Sequence, residues 1–320
     1  MSNVFKGTAD QIESNVNKVT VIDETATNEQ YPSAKAVYNV AKDLQKYVDD
    51  LVESSNFPVE ISSWSAVQEL VRNGTATKVF SVGDQLVCNH ETYGTLVWDI
   101  IGIDHDTPAN SEFKHSLTLQ LHSAISAWLP FDAAEPTNPN DRRKSSGSNN
   151  WLESSIRQWL NSDGDVGTWW EAKTDYDVKP PYASYTAGFL KGLDAEFLAT
   201  IGEVSKITAR NTVTDGGRAD TSTETFFLLS RTEVYGGLNN SIAEGAAYPY
   251  YADNSLLATP GKGADANRIK YNKGLSAQYW WLRSPVTSGS HIVYSVYPSG
   301  TTNDYSASTD CGIAPACCII

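Results

Sequence analysis

Tyr279-Trp-Trp-Leu-Arg-Ser-Pro285 and Gly312-Ile-Ala-Pro-Ala-Cys-Cys-Ile-Ile320 enclose a stretch of a different character. From Ser284 to Ile320 the chain has no Lys, Glu, Gln, Met or Trp, although these five types make up about 15% of the whole, so about five or six would be expected there. The boundary is sharp, because Gln278, Trp280, Trp281 and Arg283 stand just upstream. The stretch is rich instead in Ser, Thr, Tyr, Asn, Asp, Gly, Ala and Val. That palette resembles antibody loops, where Tyr supplies rigid contact area and Ser, Gly and Asn supply adaptable hydrogen bonds. Every residue type present has a codon ending in a pyrimidine, and the five missing types have none. Randomising the first two bases of Asn codons would write this set. A Ser/Thr-rich β terminus of ordinary origin accounts for the same composition, since strands and turns disfavour Lys, Glu and Gln. Trp280–Arg283, His291–Tyr297 and Ile313–Ile320 read as strands. The adjacent Cys317 and Cys318 read as small buried hydrophobes on the last of them.

Working back from this end, residues 57–279 carry frequent Trp, Tyr and Gly and recurring turn signals. Gln85–Cys88, Thr95–Ile103, Ser116–Leu121 and Thr225–Ser230 read as strands. Ser65-Ala-Val-Gln68 reads as a capping box that opens a short helix closed by Gly74. Asn150-Trp-Leu-Glu153 opens a second helix, with Trp151, Leu152, Ile156, Trp159 and Leu160 on one face. Asp194–Ile201 makes a third, with Gly202 as its stop. Residues 130–150, 207–222 and 236–275 read as long irregular loops, which in a compact domain are usually functional or structurally committed. The expected fold class is α+β, a small antiparallel core with a few helices and much ordered loop.

The first 56 residues differ again, with one Phe, three Tyr, no Trp and no glycine after Gly7. Val37, Val40, Leu44, Tyr47 and Leu51 alternate at spacings of three and four, the a/d pattern of a coiled coil. Pro32 and Ser33 suit its start. A lone helix of this length is marginal in water, so the stripe needs a partner: its own domain or, the preferred reading, copies of itself. The expected organisation is an attachment segment over 1–32, a coiled-coil helix over 33–56 and a ligand-binding domain over 57–320, with a variable segment at 286–310.

The formal net charge of −14 argues against nucleic acid as a partner, because phosphate binding needs clustered Lys and Arg. The one basic cluster, Arg142-Arg143-Lys144, reads as a solvated turn. No run approaches the roughly 18 apolar residues of a membrane helix, so no membrane insertion is expected. The N-terminus lacks the apolar core of a secretory signal, so synthesis in a cytoplasm is expected. Four cysteines without a CxxC point to neither a disulfide scaffold nor a zinc finger. His105-Asp106 and Asp163-Gly-Asp165 are conceivable metal ligands, but both lie in turn-rich sequence. Walker, GxSxG and HExxH motifs are absent. Neither a cofactor nor enzymatic activity is expected.

Two resemblances sharpen this reading. Asn17-Lys-Val-Thr-Val-Ile and Ala26-Thr-Asn-Glu-Gln-Tyr-Pro-Ser-Ala-Lys-Ala-Val-Tyr38 resemble a segment common in bacteriophage tail and fibre proteins, where it precedes a short trimeric coiled coil. Over most of residues 80–320, Asn149-Asn-Trp-Leu-Glu-Ser-Ser-Ile-Arg-Gln-Trp-Leu-Asn161, Phe226-Phe-Leu-Leu-Ser-Arg-Thr-Glu-Val-Tyr-Gly236, Tyr279–Pro285 and Gly312–Ala316 resemble a C-type-lectin-fold family related to the formylglycine-generating enzyme. Several of its members are variable proteins of diversity-generating retroelements, in which a C-terminal segment is rewritten by adenine-directed mutagenesis. Ala314 departs from the family's closing pattern, which has Arg there. The resemblance implies that Trp280–Pro285 and Gly312–Ile320 are frame strands and the residues between them a display surface. The catalytic relatives use a cysteine pair for copper-dependent oxidation. Here the neighbours Cys317 and Cys318 would point to opposite faces of a strand, so enzymatic activity is rejected.

The implied protein is a homotrimeric tail-fibre receptor-binding protein, located at the fibre tip of the virion and joined to other tail proteins through its N-terminal segment. It would bind a bacterial surface receptor, protein or glycan. The expected anchors are His291, Tyr294, Tyr297, Asn303 and Tyr305. The polar contacts expected around them are Thr287, Ser288, Ser290, Ser295 and Ser299, then Thr301, Thr302, Asp304 and Ser306, and finally Ser308, Thr309 and Asp310. A host-encoded adhesin of the same fold, a fibre-associated glycan hydrolase and a structural cap without a ligand are the alternatives.

Overall fold

A computed structural model describes residues 63–125, 128–251 and 263–320, all within the unit Glu60–Ile320. The coiled-coil positions Val37, Val40, Leu44, Tyr47 and Leu51, and the segments 1–32 and 33–56, lie outside the described residues. The elements run α1 (Trp64–Arg72), β1 (Gln85–His90), β2 (Gly94–Ile103), β3 (Leu117–Leu121), β4 (Leu129–Pro130), α2 (Asp141–Ser146), α3 (Ser155–Leu160), α4 (Ala195–Thr200), β5 (Ile201–Gly202), β6 (Val204–Ala209), β7 (Ala219–Glu224), β8 (Phe226–Phe227), α5 (Arg231–Tyr235), α6 (Gly263–Arg268), β9 (Lys270–Tyr271), β10 (Ala277–Gln278), β11 (Trp280–Pro285), β12 (Ile292–Val296), β13 (Thr302–Ser306), β14 (Asp310–Cys311) and β15 (Ala316–Ile319). The named strand pairings are all antiparallel. The domain is α+β.

The main sheet is ordered β1-β2-β3-β15-β5, with β8 also on β15. β15 therefore runs through the middle. Cys317 sits between Leu119 and Phe226, and Cys318 between Thr118 and Gly202. Both cysteines are fully buried, as a strand covered on both faces requires. Gly202 is a strand residue and not the helix stop expected of it. A Cβ there would stand 2.8 Å from the Ile320 Cβ, so the close approach of β5 to the chain end selects glycine. The first helix is capped by Ser63 rather than Ser65. Ser63 is extended and its Oγ accepts from the Ala66 amide at 3.2 Å. The helix can begin one residue later, at Trp64, because that ring packs on Phe197 at 4.6 Å. Ser154, not Asn150, caps α3, and Asp194 caps α4. Residues 207–222 are irregular only over 210–218; residues 207–209 and 219–222 belong to the strands of the hairpin β6–β7.

Buried indoles tie the irregular segments to this core. Each spends its N–H on a partner elsewhere, as a buried Trp must. Trp159 donates to the Ala187 carbonyl, Trp169 to Thr186, Trp280 to Arg268 and Trp281 to Leu129, at 2.8–3.0 Å.

The core also holds charge. Arg283 of β11 is 0% exposed. Its guanidinium donates to both oxygens of Glu233, at 2.5 and 3.0 Å, to Thr208 Oγ1 at 3.0 Å, and to the carbonyls of Leu228, Ile207 and Glu244. Glu233 closes the capping box of α5 as well, accepting from the Ser230 amide at 2.7 Å. Lys206 donates to Glu233 at 3.1 Å, to Asp106 and to the Tyr248 hydroxyl at 2.7 Å. Despite burial, the two cations hold the Glu233 carboxyl below the usual carboxylate range. Replacing Arg283 by Leu would leave Glu233 charged, buried and half-paired, a change that typically costs about 3–5 kcal/mol. The expected result is a denaturant midpoint lowered by that free energy divided by the slope, with the slope unchanged, read by tryptophan fluorescence.

Candidate functional site

β11, β12 and β13 form a separate three-stranded sheet. Its register pairs Ile292 with Ser306, Val293 with Tyr305, Tyr294 with Asp304, Ser295 with Asn303 and Val296 with Thr302. The alternation of side chains places Tyr294, Thr302, Asp304 and Ser306 on one face, and Asn303 and Tyr305 on the other. The expected anchors therefore do not form one patch. Tyr297 and Tyr305 gather edge-on about Tyr279, with centroids 4.8 and 5.3 Å away. Tyr294 lies apart, under the Arg231 guanidinium at 5.3 Å. Thr287, Ser290 and Ser295 are buried and offer little surface to a ligand. Ser288, Tyr297, Thr302, Asp304 and Asp310 are exposed. His291, Tyr294, Ser299, Thr301, Asn303, Tyr305, Ser306, Ser308 and Thr309 are half-buried. Asp310 pairs with Pro130 in the ribbon β4–β14, outside the three-stranded sheet. Burial and the nearby Arg142 lower the His291 pKa.

The backbone of this segment is held from outside. Asn149, fully buried, donates its side-chain amide to the carbonyls of Gly289 at 2.7 Å and Ile292 at 2.9 Å. Its oxygen accepts from Asn211 at 2.8 Å, which fixes the amide's orientation. Arg143 Nε donates to the Ser290 carbonyl at 3.2 Å, and its Nη2 grips both oxygens of Asp215 at 2.8 Å. The basic cluster is thus helix α2 with Arg143 buried, not a solvated turn. Thr212 donates its amide and hydroxyl to the Thr287 carbonyl. The Tyr235 hydroxyl reaches the Gly300 carbonyl at 3.0 Å. The Asp132 amide holds the Ala307 carbonyl, and the Ser308 amide donates to Ser146. By contrast, the side chains at 286–310 make few hydrogen bonds: Ser290 to Asn140, Asn303 to Ser295 and to the Asp304 carbonyl, and Ser299 with Thr301.

Asn149, Arg143, Asn211 and Tyr235 went unremarked as frame residues in the sequence, although Asn149 and Tyr235 stand in the motifs that carry the resemblance. Their partners lie roughly 65 to 150 residues away, so no local spacing marks them. Beneath the frame, burial pushes the Asp132 carboxyl up to about 7, although it accepts from the Ser155 amide and hydroxyl. Asp106 pairs with Lys206, His105 reaches the Ala246 carbonyl, and Asp165 pairs with Lys191. Among the described residues no three His, Cys, Asp or Glu come together as metal ligands.

A family model described as a domain of unknown function, DUF6273, matches residues 110–320. The chain belongs to the DUF6273 family. The match begins ahead of β3, so within this structure β1 and β2 complete the main sheet from outside the matched DUF6273 span. No curated protein matches the chain, and no solved structure does. No helix among the described residues is long and apolar enough to cross a membrane.

Two measurements test the frame. Asn149→Ala strands two buried carbonyls, at about 1–3 kcal/mol. Thr302→Ala, Asp304→Ala and Ser306→Ala should each stay within about 0.5 kcal/mol of the parent. Denaturant unfolding of the four variants should separate them into these two groups. For Asp132, a raised carboxyl pKa favours the protonated form in the fold. Its contribution is therefore full below pH ~4 and is lost as pH rises through ~7. The fall in thermal midpoint between those values should be shallower in Asp132→Asn.

Proposed function

We propose that this DUF6273 chain is a bacteriophage tail-fibre receptor-binding protein that recognises a bacterial surface ligand through residues 286–310. On this reading, residues 57–320 are a C-type-lectin-like binding domain and not an enzyme. Residues 33–56 trimerise it through Val37, Val40, Leu44, Tyr47 and Leu51, and residues 1–32 join it to other tail proteins in the virion.

The observation that carries the reading is the division of labour at 286–310. The backbone there is paired in the β11–β12–β13 sheet and fixed further by hydrogen bonds from Asn149, Arg143, Thr212, Tyr235 and Asp132. Most of the segment's side chains are at least partly exposed. Val293, Val296 and Ala307 anchor the segment in the core, and a surface whose backbone is held in this way can accept many different side chains at its exposed positions, as a diversified binding surface requires. The composition of the segment, free of Lys, Glu, Gln, Met and Trp, fits rewriting at asparagine codons. The Tyr279–Tyr297–Tyr305 group and Tyr294 supply the rigid aromatic area that dominates binding hot spots. Cys317 and Cys318 are buried in mid-sheet with both thiol pKa values pushed well up, which suits packing rather than catalysis. Copies on a virion would add avidity to weak single sites.

The test is binding of the purified, full-length chain to bacterial cells and envelope fractions. Tyr294→Ala and Tyr305→Ala should each weaken binding by about tenfold or more while the chain stays folded by circular dichroism. A multimer that binds no bacterial envelope, or variants that bind as the parent does, defeats the proposal. A near-repeat of the final coding segment, differing at adenines and lying beside a reverse transcriptase gene, is the expected genomic signature.

A further inference from the structure

A cleft of about 430 Å3 opens between α3, the loop 168–173 and the end of β7, within the range of small-molecule sites. No residue of 286–310 lines it. Its charges are matched. Arg157 pairs with Glu224 at 2.9 Å, and Lys173 pairs with Glu171. Glu203 adds one more carboxylate. The lining is thus neutral to slightly acidic and has no net positive charge to draw in phosphates or carboxylates.

Its polar groups are nevertheless unspent. Arg157, with a side chain 28% exposed, binds Glu224 through Nε alone, so both terminal nitrogens keep their hydrogens for another acceptor. Gln158 accepts from the Glu171 amide at 3.0 Å through Oε1, which assigns the amide, and its Nε2 is buried with no partner among the described residues. A buried donor without a partner is unfavourable, and an acceptor from a bound ligand would relieve it. Beside them stands Trp170, half-buried, whose indole N–H is already given to Ser155 Oγ at 3.2 Å. The ring is held by that bond, and what it adds to the lining is apolar surface. Glu203 and Thr223 supply acceptors at the rim.

We propose that this cleft is a second binding site, specific for a neutral saccharide. A sugar ring offers an apolar C–H face to Trp170. Its hydroxyls accept from Arg157 and Gln158 and donate to Glu203 and Thr223. Charge matching makes the site select against anionic ligands. The inference stands apart from receptor recognition by residues 286–310 and does not need it.

The experiment titrates the full-length chain with maltotriose, cellotriose, mannotriose and chitotriose, and with galacturonic acid trimer as the acidic probe, by calorimetry and saturation-transfer NMR. At least one neutral trisaccharide should bind with a dissociation constant in the millimolar range or tighter, about 4 kcal/mol or more. Trp170→Ala and Gln158→Ala should weaken it about tenfold, and Tyr294→Ala and Tyr305→Ala should leave it unchanged. Gln158→Ala removes the orphan donor together with the bond to the exposed Glu171 amide, so its thermal midpoint should change little, which separates lost binding from lost folding. Binding of no neutral trisaccharide, preference for the acidic trimer, or cleft variants that bind as the parent does each overturns the proposal.

Discussion

The buried pair Arg283–Glu233 is the interaction on which the rest of the domain depends. An arginine with no exposed surface must place every N–H, and Arg283 does so on four segments at once: β6 through Thr208 and Ile207, the end of β8 through Leu228, α5 through Glu233, and the loop at Glu244. Those segments span residues 207 to 244, so one side chain sets where a long, loop-rich part of the chain can lie. Glu233 is equally committed, because the carboxylate that receives Arg283 also caps its own helix and receives Lys206. Such a network is weak evidence for raw stability. Its geometric demands make it a device for specifying one arrangement.

That arrangement matters because β11 leads directly into the segment at 286–310, and β15 follows shortly after it. β11 is anchored by Arg283, Trp280 and Trp281, and β15 by strands on both sides. Between these anchors the path is held by the β12–β13 ladder and by carbonyls gripped from elsewhere. Asn149 illustrates the economy: one planar amide satisfies two carbonyls across a turn and is itself held by Asn211. The cleft beside α3 rests on the same frame. The Arg157–Glu224 pair that floors it also receives the Trp151 indole N–H and the Ser222 hydroxyl on Glu224.

Much of the scaffold was legible in the sequence. β1, β2 and β3 appear within two residues of where alternation places them, and α4 is close to its periodic signal, whereas α3 begins only at Ser155, so Trp151 and Leu152 precede it. The burial of Cys317 and Cys318 followed from an apolar terminal run. These features depend on neighbours a few residues away, and such neighbours are what a linear reading sees. Where a cap or stop was misplaced, at Ser63 and Gly202, a distant contact had moved it: Phe197 against Trp64, and Ile320 against Gly202.

The sequence by itself determined β1, β2, β3, β11, β12 and β15 and the unusual composition of 286–310, because periodicity and residue choice are local properties. Tertiary structure alone decided which polar groups go inside. In β6 the pattern of burial puts Lys206 in and Ile207 out, the reverse of their hydropathies, because Glu233 and Asp106 wait beneath Lys206. β7 hid in a polar run, since its pairing with β6 buries little of it. Arg143 read as a surface charge until Asp215, 72 residues on, came to meet it. Two groups of tyrosines, rather than one patch, follow from which face of β12 and β13 each residue takes, and register is set by pairing and not by composition. Desolvating a charge is tolerable only against a placed partner, and the placing of partners is what folding adds to sequence.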